Sequence, residues 1–239
     1  MRVVENQLAM LESQGVLIPY DPLVITPPIA HAIKSGYFEA EEASQIPHIL
    51  GRDDVVLDIG AGIGFISTLI SKVAVRVVSV EANPNLLPFM AELHRVNGVA
   101  NAKRLNVVLG EAERGSSTFY QRADFWMGSL AAEPNPYITT VEVPNMGLNT
   151  LLEREQITCI VCDIEGAESF LFRGADLSGV SLVYLELHDH IVGLKGVAQV
   201  FGDMAAQGFA YDPRHSSGAI VLFRKVELNE VIRPYARSL

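Results

Sequence analysis

Hydrophobic and polar positions follow two periods along the chain, and the periods take turns. Short apolar runs of strand length occur at 55–60 (VVLDIG), 75–82 (VRVVSVEA), 104–111 (RLNVVLGE), 158–166 (TCIVCDIEG) and 181–188 (SLVYLELH). Between them lie segments with apolar residues three and four apart, as helices require: 37–50, 64–73, 83–98, 146–155, 167–174 and 196–208. The segment 83–98 is opened by Asn83-Pro84 and closed by Gly98, and its Pro88 falls in the first turn, where backbone donors have no partner anyway. Strands that alternate with helices and are apolar throughout predict a mostly parallel sheet buried on both faces. The last two apolar runs, FAYD and AIVLFRK, are joined by the turn-rich PRHSSG and predict a C-terminal antiparallel hairpin. The expectation is therefore an α/β fold, a doubly wound, mostly parallel seven-stranded sheet. Residues 37–239 form its domain, with an irregular insert at about 112–145 containing two short strand-like pieces, STFYQ and TTVEVP.

Residues 1–36 break this rhythm. A short amphipathic segment (Val4, Leu8, Leu11) precedes a stretch with four prolines, which favours extended and loop conformations over regular structure. This part is expected to cap the main domain.

Composition narrows the function classes. The chain is 49% hydrophobic and 19% charged, which supplies a core and excludes disorder. A net charge of −10 with no dense Lys/Arg cluster argues against a nucleic-acid partner. The two cysteines, Cys159 and Cys162, form a lone C-x-x-C on a strand, where residues three apart face opposite sides, so they read as buried small hydrophobes in a reducing compartment. No signal-type leader and no 18-residue apolar run is present, so a cytoplasmic chain without a membrane partner is expected.

The chemistry concentrates at the ends of the apolar runs, where open α/β sheets bind their ligands. The first run ends in Asp58, then Gly60-Ala61-Gly62, then Gly64. Glycines here allow positive φ and a close backbone approach to a ligand. The spacing is G-x-G-x-G, one residue short of the dinucleotide pattern G-x-G-x-x-G. Asp58 before the turn would repel a pyrophosphate and favour an amino-bearing or cationic ligand. Glu81, 23 positions on, ends the second strand beside this turn and can accept both hydroxyl hydrogens of a ribose, although Glu81 and Asn83 also suit the start of the next helix.

These residues, D-I-G-A-G-I-G followed by V-E-A, resemble the first two motifs of class I S-adenosylmethionine-dependent methyltransferases. The resemblance implies S-adenosylmethionine as cofactor, held by Asp58, Gly60, Ala61, Gly62, Gly64, Glu81, Ala82 and Asn83. A second segment, DIEGAE (163–168), with the following ELH (186–188), resembles the D-V-E-G-A-E and E-x-H segments of the FkbM family, named for an enzyme that methylates a macrolide hydroxyl. That likeness spans residues 35–190 and implies O-methylation of a hydroxyl on a sugar or secondary metabolite, so the expected partner is a small-molecule or glycan acceptor. It also carries Tyr37 and Glu42 over as residues lining the methionine end of the cofactor. The chain departs from the family at Cys162, where Lys is usual, at Gly62, where Asn is frequent, and at Leu148-Asn149, where Leu-Asp is frequent.

Methyl transfer to a hydroxyl needs a group that takes its proton. Asp163, at a strand end, Glu165 in the turn and His188 at the end of the next strand are the candidates, and Asp163 is also expected to contact the cofactor. Glu168 reads as an acid stabilising a helix start. Asp163, Glu165, His188 and His190 are chemically suitable metal ligands, but nothing in the sequence fixes their geometry and no metal is assigned. Trp126 and Tyr137 in the insert are candidates for an acceptor lid, or for a packed edge hairpin. The rival functions are a nicotinamide-dependent oxidoreductase, which the short glycine pattern disfavours, and a cofactor-binding module that has lost catalysis, for which Cys162 is the hint.

Overall fold

A computed structural model describes residues 9–111 and 113–227. The chain opens with an antiparallel pair, β1 (Met10–Ser13) and β2 (Val16–Pro19), followed by α1 (Pro27–Lys34) and α2 (Ala40–Ile49). The regular alternation then begins with β3 (Val55–Ile59), α3 (Phe65–Ser71), β4 (Arg76–Val80), α4 (Leu87–Val96) and β5 (Ala102–Leu105). An insert carries β6 (Val108–Gly110), β7 (Ser116–Gln121) and β8 (Thr139–Gly147). After it come α5 (Leu148–Glu155), β9 (Cys159–Cys162), α6 (Glu168–Leu171), β10 (Leu182–Glu186), α7 (Asp189–Ala206), β11 (Phe209–Tyr211) and β12 (Ile220–Lys225).

The seven-stranded sheet has the order β11-β12-β10-β9-β3-β4-β5. β12 is antiparallel to both neighbours, while the pairs among β10, β9, β3, β4 and β5 are parallel. The expected antiparallel edge is thus displaced: β12 is inserted one place in, and β11 forms the edge running with the other strands.

Period-two alternation divides the strands between two cores. Val56, Val77, Cys159, Val161, Leu182, Tyr184 and Leu222 face α1–α4, whereas Leu57, Val78, Ile160, Cys162, Val183 and Phe223 face α5–α7. The two cysteines are buried, free and on opposite faces. Val16, Ile18, Ile25 and Ile29 from the N-terminal segment join the first core.

Two expectations are corrected here. The prolines at 27 and 28 start a helix, because they fill its first two positions, where missing N–H groups cost nothing. Of the amphipathic segment, Leu11 lies in β1, and Val4 and Leu8 lie outside the described residues. The run 104–111 is also two strands rather than one. The Asn106 side chain donates to the carbonyls of Glu81 and Ala82, both at 2.9 Å, and the chain leaves the large sheet there to pair β6 with β8.

Candidate active site

Strand order reverses between β3 and β9, and the ends of these two strands meet. The Asp163 amide donates to the Ile59 carbonyl at 2.9 Å. Gly60 (φ +83°) follows, packed so closely that a Cβ would overlap the Asp163 carbonyl oxygen. Only glycine allows both the left-handed backbone and this approach. Gly64 (φ +88°) opens α3, and a Cβ there would strike Met90 and approach His94 of α4, so its role is helix packing.

Glu81 locks the glycine turn to the end of β4. One carboxylate oxygen accepts the Gly62 amide at 2.8 Å and the other the Asn83 amide at 2.6 Å. Asn83 in turn accepts from the Asn85 amide (3.1 Å) and from the Gln121 side chain (2.7 Å), which ties the insert to the site. Burial raises the pKa of Glu81 against the lowering effect of the backbone amides of Asn83, Gly62 and Ala82.

A cleft with about 790 Å³ of empty space, part of it open to solvent, lies over these strand ends. Gly60, Gly62, Glu81 and Ala82 form one wall and Asp163 and Glu165 another, with Val107, Leu109, Phe119, Phe125, Trp126 and Leu130 supplying apolar surface. The insert is held in shape by Arg122, a buried side chain that donates to the carbonyls of Met127 (3.0 Å) and Ala131 (2.8 Å). Trp126 stacks on Phe38 (6.2 Å between centroids), while Tyr137 packs edge-on against Tyr120 away from the cleft.

A smaller cavity of about 420 Å³ adjoins, lined by Glu39, Glu42, Asp58, Asp163, Tyr184 and Glu186. Burial, reinforced by Glu81 and Asp163, pushes Asp58 up to about 8. Burial also raises Glu39 and takes Glu42 to about 7. Asp163 is pushed up to about 7 by burial, against the lowering influence of His188.

His188 is buried at the far side of Asp163. Its Nε2 lies 3.4 Å from Asp163 Oδ1 and 3.7 Å from Glu165 Oε2. Behind it, Glu168 is fully enclosed: its Oε1 accepts the His188 amide at 2.8 Å and lies 3.3 Å from Nδ1, and its Oε2 accepts the Gly166 amide at 2.9 Å. Burial opposes the imidazolium, but the Glu168 hydrogen bond and the charges of Asp163 and Glu165 raise His188 to about 9. Glu165 sits in the left-handed region (φ 51°), a conformation uncommon outside glycine and concentrated at functional sites.

The structure therefore gathers Asp58, Gly60, Ala61, Gly62, Glu81, Ala82, Glu42, Asp163, Glu165 and His188 around two adjoining cavities. Tyr37 is 79% exposed and lines neither; His190 is exposed as well. Glu39 and Glu186 line the cavities without having been assigned a role, and Glu168 proves to be the support of His188 rather than only a helix-start acid. The period-two spacing of Glu186 and His188 was a signal for the second of these; nothing in the sequence marks Glu39, which reaches the site through a left-handed turn (φ 46°).

A doubly wound sheet with a glycine turn and an acid at the tip of the next strand is the arrangement of class I S-adenosylmethionine-dependent methyltransferases. The chain belongs to the FkbM methyltransferase family: residues 58–211 match the methyltransferase FkbM domain, and S-adenosylmethionine is the cofactor. An uncharacterised protein of Methanocaldococcus jannaschii is 28% identical over 109 residues, 46% of this chain and 39% of that protein, so this chain aligns with about two fifths of its relative. Among solved structures, Trm5b from Pyrococcus abyssi is similar with a TM-score of 0.52 and 15% identity, covering 92% of this chain and 56% of that one. M. jannaschii TYW2 in complex with AdoMet is similar with a TM-score of 0.49 and 12% identity, covering 93% and 88%. Among the described residues, no helix is long and apolar enough to cross a membrane.

Proposed function

We propose that this methyltransferase transfers its methyl group to a hydroxyl of a sugar or secondary metabolite. The observation that carries the reading is the cluster of Asp163 and Glu165, which line the cleft with Glu81 and the glycine turn, and His188 buried behind them. The residues present fit the cofactor. Glu81 keeps lone pairs free for ribose hydroxyls after accepting its two amides. Val107, Leu109 and Phe119 supply apolar contact for a base. Asp58 Oδ2 is buried with no hydrogen-bond partner among the described residues, and it lines the smaller cavity where an amino group would satisfy it.

Bound S-adenosylmethionine supplies an electrophilic methyl group. Asp163, Glu165 and His188 orient the acceptor hydroxyl, and a carboxylate of this group takes its proton as the oxygen–methyl bond forms, with rate gained mainly by alignment. Many carboxylates and no Lys or Arg among the lining residues disfavour a phosphate-rich acceptor and support an uncharged or cationic small molecule.

The test is transfer of labelled methyl groups to a panel of sugars and hydroxylated metabolites, with an RNA and a protein pool in parallel. Alkali-stable label on a small-molecule hydroxyl supports the proposal, and Asp163→Asn should then lower turnover by about 10²–10⁴-fold. Label appearing on RNA or protein instead would overturn it.

A further inference from the structure

We infer that Asp163, Glu186 and His188 form a binding site for a first-row divalent metal ion beside the carboxyl ends of β9 and β10. One ligating atom from each of the three lies within 4.8 Å of the other two. They come from the ends of two adjacent parallel strands, β9 and β10, so the sheet itself sets their spacing. Bonds of about 2.0–2.2 Å hold a metal's donors no more than about 4.4 Å apart. Asp163 and Glu186 both border open space, so small turns of their side chains complete the approach.

Three further observations point to a cation. The first is the support of the imidazole. Glu168, fully enclosed, faces Nδ1 and leaves Nε2 directed at Asp163, the carboxylate–histidine arrangement that fixes a ligating ring from behind. The second is unmet bonding capacity. Among the described residues Asp163 Oδ1, shielded from solvent, has no hydrogen-bond partner, and its 3.4 Å distance to Nε2 is long for a hydrogen bond. In the adjoining cavity, the Tyr184 hydroxyl, on a residue 1% exposed, also lacks a partner among the described residues. Water held on an ion would supply donors to these oxygens. The third is charge: Glu39, Glu42, Asp58, Asp163 and Glu186 share one small cavity, and among the described residues no Lys or Arg lines it.

Two carboxylates and one imidazole favour Mn²⁺ or Zn²⁺ over Mg²⁺ or Ca²⁺. How the ion is used rests on the hydroxyl-methylating reading above; its presence does not. An acceptor hydroxyl coordinated to it loses its proton more readily. The O–H proton passes to Glu165, which lines the cleft and is not a ligand. The oxygen forms its bond to the methyl carbon, and the carbon–sulfur bond breaks with its electron pair staying on sulfur.

The test needs no acceptor. The full chain, freed of metal with a chelator, is titrated with Mn²⁺ by electron paramagnetic resonance and with Zn²⁺ by calorimetry, and S-adenosylhomocysteine binding is measured separately on every variant. The expected result is saturable uptake of one ion per chain, weakened at least tenfold in Glu186→Gln and His188→Ala. Glu168→Gln, which keeps all three ligands, should weaken it about tenfold, and Glu165→Gln, which removes only a neighbouring charge, should weaken it less than loss of either ligand. Absence of saturable binding of either ion would overturn the inference, as would uptake unaltered in a Glu186→Gln protein that still binds S-adenosylhomocysteine. Failure of S-adenosylhomocysteine binding in the unaltered protein with normal metal uptake would instead count against the methyltransferase site and leave the ion site standing.

Discussion

Glu155 and Asp58 are both buried carboxylates, on opposite faces of the large sheet, and their surroundings are opposite too. Glu155, at the end of α5, is met by Arg76 (2.5 Å), Lys103 (2.7 Å) and Arg154 (3.1 Å), with the Lys103 hydrogen bond foremost in holding it down to about 2. Asp58, near the carboxyl end of β3, has other acids for neighbours and is pushed up to about 8. The same side-chain chemistry serves structure where cations are provided and awaits a ligand where they are withheld. A cluster of acids left without cations costs stability in the free protein, and a cationic ligand relieves that cost.

The largest expected effect lies where the glycine turn meets Asp163. Gly60→Ala should abolish S-adenosylmethionine binding by calorimetry and lower the melting temperature by roughly 10 °C, because Ala must occupy a left-handed backbone against the Asp163 carbonyl. Retained binding would show that the β3–β9 contact is not what shapes the turn.

Next come Glu81 and Glu155 as a contrasting pair. Glu81→Ala should weaken S-adenosylmethionine about 100-fold, close to 2.7 kcal/mol at about 1.4 kcal/mol per tenfold. Glu155→Ala should leave that affinity unchanged and instead cost about 2 kcal/mol of stability, a fall of roughly 4–8 °C in melting temperature. If both substitutions moved affinity, the two carboxylates would not be divided between ligand and structure.

The smallest effect is a pair of opposite pH slopes. The folded pKa of Glu155 is depressed, so its contribution is present above the ordinary value of 4.5 and lost as pH falls toward about 2. Glu155→Gln should flatten acid destabilisation in that window. The folded pKa of Asp58 is raised, so the folded state holds a proton that the unfolded chain has released, and stability declines as pH rises from about 4 to about 8. Asp58→Asn should flatten that decline. Denaturant midpoints across pH 2–9 separate the two.

Much of this layout was legible in the sequence, and the failures have physical causes. The central strands and the helices after them were visible because buried parallel strands are apolar throughout and helices keep their own period. The glycine turn and Glu81 were found together because the sheet's topology fixes where a strand end must lie. Pro27-Pro28 misled because the allowance made for Pro88, a proline in a first turn, applies equally to two prolines opening a helix. The run 104–111 hid a break because the bonds from Asn106 that peel it off the sheet are to residues more than 20 positions earlier. Glu39 and Glu168 were missed as site residues because their roles depend on chain segments brought together only by folding.

The sealed cysteines have a practical consequence. Cys159 and Cys162 are 2% exposed, sit in the middle strand of the sheet and have thiols pushed up by burial, the first to about 12. Thiolates do the reacting, so a thiol reagent reaches neither sulfur without the sheet coming apart. The chain thus carries its own clock for whole-molecule opening, readable by mass spectrometry without any added label site, and ligands that fasten the cleft should slow it.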